Sequence, residues 1–368
     1  RTVVPGTNLT REEAAERAAV VRVHNYAVEL GLSREHDTFR SVSNVRFDAR
    51  PGASTFIDLI AHEVHEVVLN GEPLPVGDVV SEGRIALANL REHNELRVVA
   101  DADYMHTGEG LHRFVDPVDK ETYLYSQFEV ADARRVFACF DQPDLKATFQ
   151  FTVTAPSHWQ VVSVSPTPRP EVFADGTARW VFEPTPALST YVTAIVAGPY
   201  HRVDGELTSR DGRTIPLGVF CRASLAEYLD APDIIEVTKQ GFAYFEDVFD
   251  LAYPFSKYDQ LFVPEFNAGA MENAGAVTIT EDYVFRSRVT DAAYEQRANT
   301  ILHELAHMWF GDLVTMRWWD DLWLNESFAE YVSTRAQATS TRWTTAWTTF
   351  SSAEKSWAYR QDQLPSTH

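Results

Sequence analysis

"HELAHMWFGDLVTMRWWDDLWLNESFAEY", residues 303–331, sets ionisable side chains inside an apolar run. His303, Glu304 and His307 spell HExxH. On a helix, positions i and i+4 share a face, so both imidazoles can reach one ion with Glu304 beside it. Imidazole nitrogens and a carboxylate suit Zn²⁺, and three protein ligands leave a fourth position for water. Zinc lowers the pKa of such water toward neutrality, and Glu304 can take its proton as it attacks a carbonyl. The flanking "TILHELAHMWF" (300–310) is apolar all round, which predicts a buried helix. Two histidines and a glutamate in a core need partners, and one metal ion supplies them.

A third ligand must come from elsewhere. Glu326 follows His307 after eighteen intervening residues, near the start of a second helical pattern. Leu324, Phe328, Tyr331 and Val332 are its expected apolar stripe, which leaves Glu326 on the other side. Two antiparallel helices joined by "GDLVTMRWWDDL" would aim that carboxylate at the ion. Glu330, one turn on, is expected to be a surface residue rather than a support for a ligand. A decoy, "AHEVHEVV" (61–68), alternates like a strand. His62 and His65 are therefore expected on opposite faces, unable to share an ion.

Outward from this stretch the fold class reads as α+β, in more than one domain. After a short helix signal at Thr10–Ala18, the first 200 residues are runs such as "TFRSVSNVRFDA" and "ATFQFTVTA", separated by turns that include Asn70-Gly71. Their spacing suggests an antiparallel saddle or sandwich over residues 1–202. Residues 203–368 carry strands between helical periods. The expected boundary lies near 203.

Lys and Arg number 32 against 53 Asp and Glu, a net charge of −21. That excludes a phosphate-neutralising face and argues against nucleic acid and anionic membrane as partners. It is compatible with partners carrying a free amine. No run of 18 apolar residues is present, and the start has no secretory h-region. The two cysteines, Cys139 and Cys221, form no disulfide framework, read as small core residues and fit a cytoplasmic setting.

HExxH followed by Glu326 within "WLNE" resembles the gluzincin metallopeptidases and, among them, the M1 family of zinc aminopeptidases. The resemblance implies a thermolysin-like catalytic domain, zinc on His303, His307 and Glu326, Glu304 as general base, and peptides with a free N-terminal amine as substrates. "GAMENAG" (269–275) matches the family's exopeptidase motif. By that match Glu272 binds the α-amine, Gly269 and Ala270 bond the substrate backbone, and Met271 and Asn273 shape the site. "YSQFEVADARRVFACFDQPDLKATF" (125–149) resembles the segment that reaches the cleft, with Glu129 a second carboxylate on the amine and Gln127 a wall of the first side-chain pocket. Ala138 and Gln142 depart from the family's usual residues there.

Enzymes of this kind also use a tyrosine hydroxyl on the oxyanion, further past the third ligand than the 42 residues that follow Glu326. Neither Tyr331 nor Tyr359 matches its place. The chain is thus expected to be truncated within its catalytic domain. The rival readings are a metal- and peptide-binding fragment with little turnover, an endopeptidase, and a bifunctional aminopeptidase and epoxide hydrolase. "GAMEN" opposes an endopeptidase, and Glu129 opposes the last.

Overall fold

The structure, a computed structural model, describes residues 8–363, so the outermost residues of both expected domains lie outside it. The first helix, Arg11–Ala18, starts at Thr10, whose hydroxyl accepts from Glu13 N–H while the Glu13 carboxylate accepts from Thr10 N–H. This reciprocal cap is what a Thr with Glu three residues on provides. Strands follow where the quoted runs lie, at Thr38–Ala49 and Thr148–Pro156, and others join them. Eight form one sheet, in the order 171–172, 177–181, 148–156, 21–31, 38–49, 93–103, 63–69 and 72–73. Its pairings are antiparallel except one: Val21–Gly31 runs parallel to Thr148–Pro156. The Asn70-Gly71 turn closes its last hairpin with both residues at positive φ, 55° and 84°, as a two-residue hairpin loop requires.

Burial follows the pleat. Val21 and Val23 are buried, then Tyr26, Val28 and Leu30, and the parity changes where a bulge falls between Val23 and Asn25. Tyr26 stacks on Phe149 at 4.8 Å and its hydroxyl accepts from Phe140 N–H. The segment Phe137–Phe140 is fully buried beneath the sheet. Gln142 accepts from Arg17 Nε at 2.6 Å and donates to the Ala14 carbonyl at 3.0 Å. It uses both ends of an amide to tie the first helix to this segment, which a carboxylate could not do.

A bulge also overturns the expectation for the decoy. The register of the strand Glu63–Leu69 shifts between Val64 and Glu66, and His62 lies just before the strand. His62 meets Asp103 at 3.1 Å and His65 meets Asp101 at 2.8 Å. Those aspartates are two apart on one strand, so the two histidines share a face. Each is held by its own carboxylate.

A four-stranded sheet (160–163, 195–198, 122–127, 110–115) leads into a mixed five-stranded one, ordered 201–208, 214–221, 258–263, 276–280 and 270–271. The first strand of the latter, His201–Thr208, runs across residue 203, where the sequence placed the division. Three helices pack together beside it: Ala231–Val248, Asp291–His307 and Leu322–Ser340. A 3₁₀ turn, Ala223–Tyr228, precedes the first of these helices, which starts with Pro232 in its first turn. Gly241 lets the first of these helices approach the second: a Cβ there would lie 2.6 Å from Leu302.

Half of the stripe expected on Leu322–Ser340 turns inward: Val332 is buried and Phe328 packs against the core. Leu324 and Tyr331 are each 46% exposed, while Asn325, Ala329, Ser333 and Ala336 face inward. Small residues permit close helix packing, and that turns Glu326 toward the HExxH helix.

Gly275, at the end of "GAMENAG", holds φ +66°, and a Cβ there would sit 2.9 Å from the Lys257 carbonyl oxygen. Left-handed backbone costs a non-glycine residue about 1–2 kcal/mol, and overpacking a further ~1–3 kcal/mol. Gly275→Ala is therefore expected to destabilise the fold by about 2–4 kcal/mol, measured as a lowered denaturant midpoint. An unchanged midpoint would contradict this reading of the turn.

Candidate active site

Four residues before its end, at His303, the helix Asp291–His307 presents the first of three donor atoms. His303 Nε2 and His307 Nε2 lie 3.0 Å apart. Glu326, from the neighbouring helix, places its carboxylate 3.3 Å from His303 Nε2 and 3.7 Å from His307 Nε2. The other ring nitrogens are pinned. His307 Nδ1 lies 3.1 Å from the Phe310 carbonyl and 3.0 Å from Asn325 Oδ1. A carbonyl only accepts, so Nδ1 carries the proton and Nε2 keeps its lone pair. His303 Nδ1 lies 3.2 Å from Glu330 Oε2, a carboxylate that holds a proton on that nitrogen.

Around this pair the charge is one-sided. Burial, and then Glu272, push the Glu129 carboxyl up to about 8. Glu304 is likewise raised by burial to about 8. Burial alone would lower His303, but the bonds from Glu326 and Glu330 outweigh it and carry it up to about 9. Burial favours the neutral form of Glu326 too, yet the two imidazoles hold its carboxyl well below the usual range. Glu272 Oε1, Glu304 Oε2 and both Asp312 oxygens are buried without a partner. A buried cluster with this many unbonded carboxylate oxygens is built to receive positive charge from outside the chain.

Three sets of donors in this cluster are close enough to share an ion. His303, His307 and Glu326 form one; Glu272, Glu304 and His307 another; Glu129, Glu272 and Glu326 a third. The first is the one with two imidazole nitrogens whose tautomers are fixed by their outer partners, and it fits a metal best. The other two leave only carboxylates, or one imidazole, on the ion.

The "GAMEN" strand, Ala270–Met271, is the edge of its sheet and pairs on one side only, with Ala276–Thr280. A Cβ on Gly269 would meet nothing within 4 Å, so the folded chain itself does not demand a glycine there. Met271 is buried and its sulfur lies 3.5 Å from Gln127 Nε2. Asn273 donates to the Thr278 hydroxyl at 3.2 Å. The β-rich part is fastened to this segment: Ala274 N–H donates to the Val192 carbonyl at 2.9 Å, and the Tyr125 hydroxyl to the Glu265 carbonyl at 3.1 Å. These bonds carry Gln127 and Glu129 to the wall of a cavity of about 600 Å³ shared with Phe266, Trp318 and Trp319.

All eleven residues singled out in the sequence thus gather in one region. Four others there were not expected. Glu330 supports His303, against the surface role expected for it. Asn325, quoted within "WLNE", supports His307, and its place one turn before Ala329 on the small-residue face was the available signal. Asp312 and Tyr191 are fully buried beside Glu272 with no hydrogen-bond partner among the described residues on their side-chain oxygens, and nothing local in the sequence marks them.

The profile described as "Peptidase M1 N-terminal domain" matches residues 23–192, and that of the "Peptidase family M1 domain" matches 234–368. The chain belongs to peptidase family M1. It is 63% identical over 371 residues to an "Aminopeptidase N" of Streptomyces lividans, covering 99% of this chain and 43% of that protein. An "Aminopeptidase M1-A" of Oryza sativa subsp. japonica is 35% identical over 82% of this chain and 32% of its own length. A "Probable M1 family aminopeptidase 1" of Encephalitozoon cuniculi is 36% identical over 75% of this chain and 34% of its own. The chain spans less than half the length of these M1 relatives. Among the described residues no helix is long and apolar enough to cross a membrane.

Proposed function

We propose that the chain acts as a zinc metallo-aminopeptidase, with one Zn²⁺ held by His303, His307 and Glu326. The observation that carries this is the convergence of two imidazole Nε2 atoms and a carboxylate at 3.0, 3.3 and 3.7 Å. Tetrahedral donors at about 2.0–2.1 Å from zinc lie about 3.3 Å from one another, so the set fits that ion. When bound, the ion supplies Lewis acidity to a carbonyl and lowers the pKa of water.

The chain's own groups account for the rest. Glu304, buried with Oε2 unpartnered, takes a proton from the attacking water and returns it to the departing amine. Glu272 and Glu129 hold the substrate's α-ammonium. A capped N-terminus would leave both carboxylates desolvated and unpaired, so the pair selects for exopeptidase cleavage. Gly269 and Ala270, on the free side of the edge strand, bond the substrate main chain. Gln127, Met271 and Asn273 shape the pocket for the first side chain. The division into a β-rich domain and a catalytic one near residue 203 belongs to this proposal, supported by the change of sheet between Gly198 and His201. So does a cytoplasmic setting, supported by two buried, free cysteines.

Hydrolysis of a neutral aminoacyl chromogenic amide by the zinc-loaded chain tests the reading. Activity should vanish on dialysis against a chelator and return with zinc. Turnover indifferent to metal removal would overturn it, and stoichiometric zinc without turnover would favour a binding fragment. The supports can be tested apart from turnover: removing such an outer partner typically costs 10–100-fold in metal affinity. Asn325→Ala and Glu330→Ala are each expected to weaken zinc by about that factor in chelator competition. Unchanged zinc affinity in both would contradict the roles given to these residues.

A further inference from the structure

A second cleft, of about 690 Å³, lies on the other side of the chain that follows the HExxH helix. It is walled by the start of the strand Val21–Gly31, the segment 143–148 and residues 315–317. Three cations line it, Arg22, Lys146 and Arg317, against one acid, Asp144. Asp144 already accepts from Gln142 Nε2 at 2.7 Å. No carboxylate among the described residues forms an ion pair with Arg22 or Arg317, and both are exposed. Lys146 Nζ donates at 2.9 and 3.1 Å to the carbonyls of Asp312 and Leu313, which offer dipoles but no counter-charge. Asp312 acts on this ammonium only through space, since neither of its carboxylate oxygens is bonded. His24, also on the wall, is taken by Asp48 at 2.8 Å. In a chain with 53 acids and 32 lysines and arginines, a cleft that keeps a positive surplus stands apart from the prevailing field.

The position of the cleft gives the surplus a consequence. Thr315, Met316 and Arg317 line it, while the next two residues, Trp318 and Trp319, line the cavity that holds Gln127 and Glu129. One five-residue segment is the partition between the two spaces. Lys146 fastens the start of the same loop through the carbonyls of Asp312 and Leu313.

We propose that this cleft binds a small, multiply charged oxyanion between Arg22, Lys146 and Arg317, and that its occupancy is felt at the Trp318–Trp319 wall of the substrate cavity. Guanidinium forks match phosphate and carboxylate geometry, and charge-assisted bonds of this kind are about twice as strong as neutral ones. The site does not depend on the metal or on the proposed peptidase activity.

Calorimetric titration of the full chain with sodium phosphate, against sodium chloride at matched ionic strength, tests the proposal. A parallel titration with citrate separates a phosphate preference from a carboxylate one, and saturable binding of either supports the site. The double reversal R22E/R317E is expected to weaken binding about tenfold or more, a loss of about 1.4 kcal/mol. Arg169→Glu, outside the cleft, should leave it intact. Phosphate or citrate should also shift the tryptophan emission of the wild-type chain and not that of the double variant. Both arginines are exposed and unpaired, so the reversal should not lower the melting temperature. If it does, Arg317→Gln replaces it. Binding of both oxyanions no stronger than that of chloride, or equal binding by a normally folded variant, would overturn the proposal.

Discussion

Glu304→Gln is expected to lower the turnover of an aminoacyl amide by about 10²–10⁴-fold, the usual yield of a positioned general base, while one zinc per chain is retained. The substitution keeps the side chain's shape and removes its ability to accept a proton. Glu304 is 5% exposed with Oε2 unpartnered, so neither solvent nor a neighbour replaces the lost function. The retained zinc matters as much as the lost turnover. One of the three alternative donor sets uses Glu304 as a ligand, together with Glu272 and His307. Loss of zinc from the variant would move the ion to that set; retention with lost turnover fits the assignment to His303, His307 and Glu326.

The second large effect is on the ion itself. His307→Ala removes the donor common to the two sets of this cluster that contain imidazole. Full sites are worth about 10–16 kcal/mol in zinc-finger peptides, so one ligand among three or four accounts for several kcal/mol. A fall in zinc affinity of about 10³-fold or more is expected, read by competition with a chromophoric chelator. The alanine leaves a space where a 1%-exposed imidazole packed, so circular dichroism must show that the variant is folded. Near-normal zinc affinity in a folded His307→Ala would mean that the ion sits on Glu129, Glu272 and Glu326.

Much of this arrangement is legible in the sequence. The i, i+4 spacing of His303 and His307 is local geometry, and a buried apolar helix leaves few uses for them. Strand after strand fell where β-branched runs and turn residues put it. What failed was any inference that needed two elements at once. On the helix Leu322–Ser340 the large apolar residues mark only part of the inward face, where Val332 is joined by Ala329, Ser333 and Ala336, because close approach to another helix rewards small side chains. The same rotation brings Asn325 and Glu330 onto the histidines. The face of His65 was lost to a bulge set by pairing with the strand His93–Asp103. A bulge belongs to a pair of strands, and no window on one strand reveals it. Asp312 and Tyr191 acquire their environment only when the two parts of the chain meet.

The central claim is that paired carboxylates beside the metal require a free amine. It is tested most directly by comparing kcat/KM for a neutral aminoacyl chromogenic amide with that for its N-acetylated twin, on one zinc-loaded preparation. Cleavage confined to the free amine, and reduced in Glu272→Ala, is the result expected. Comparable cleavage of the acetylated twin would contradict it, since Glu272 and Glu129 would then not govern which bond is cut.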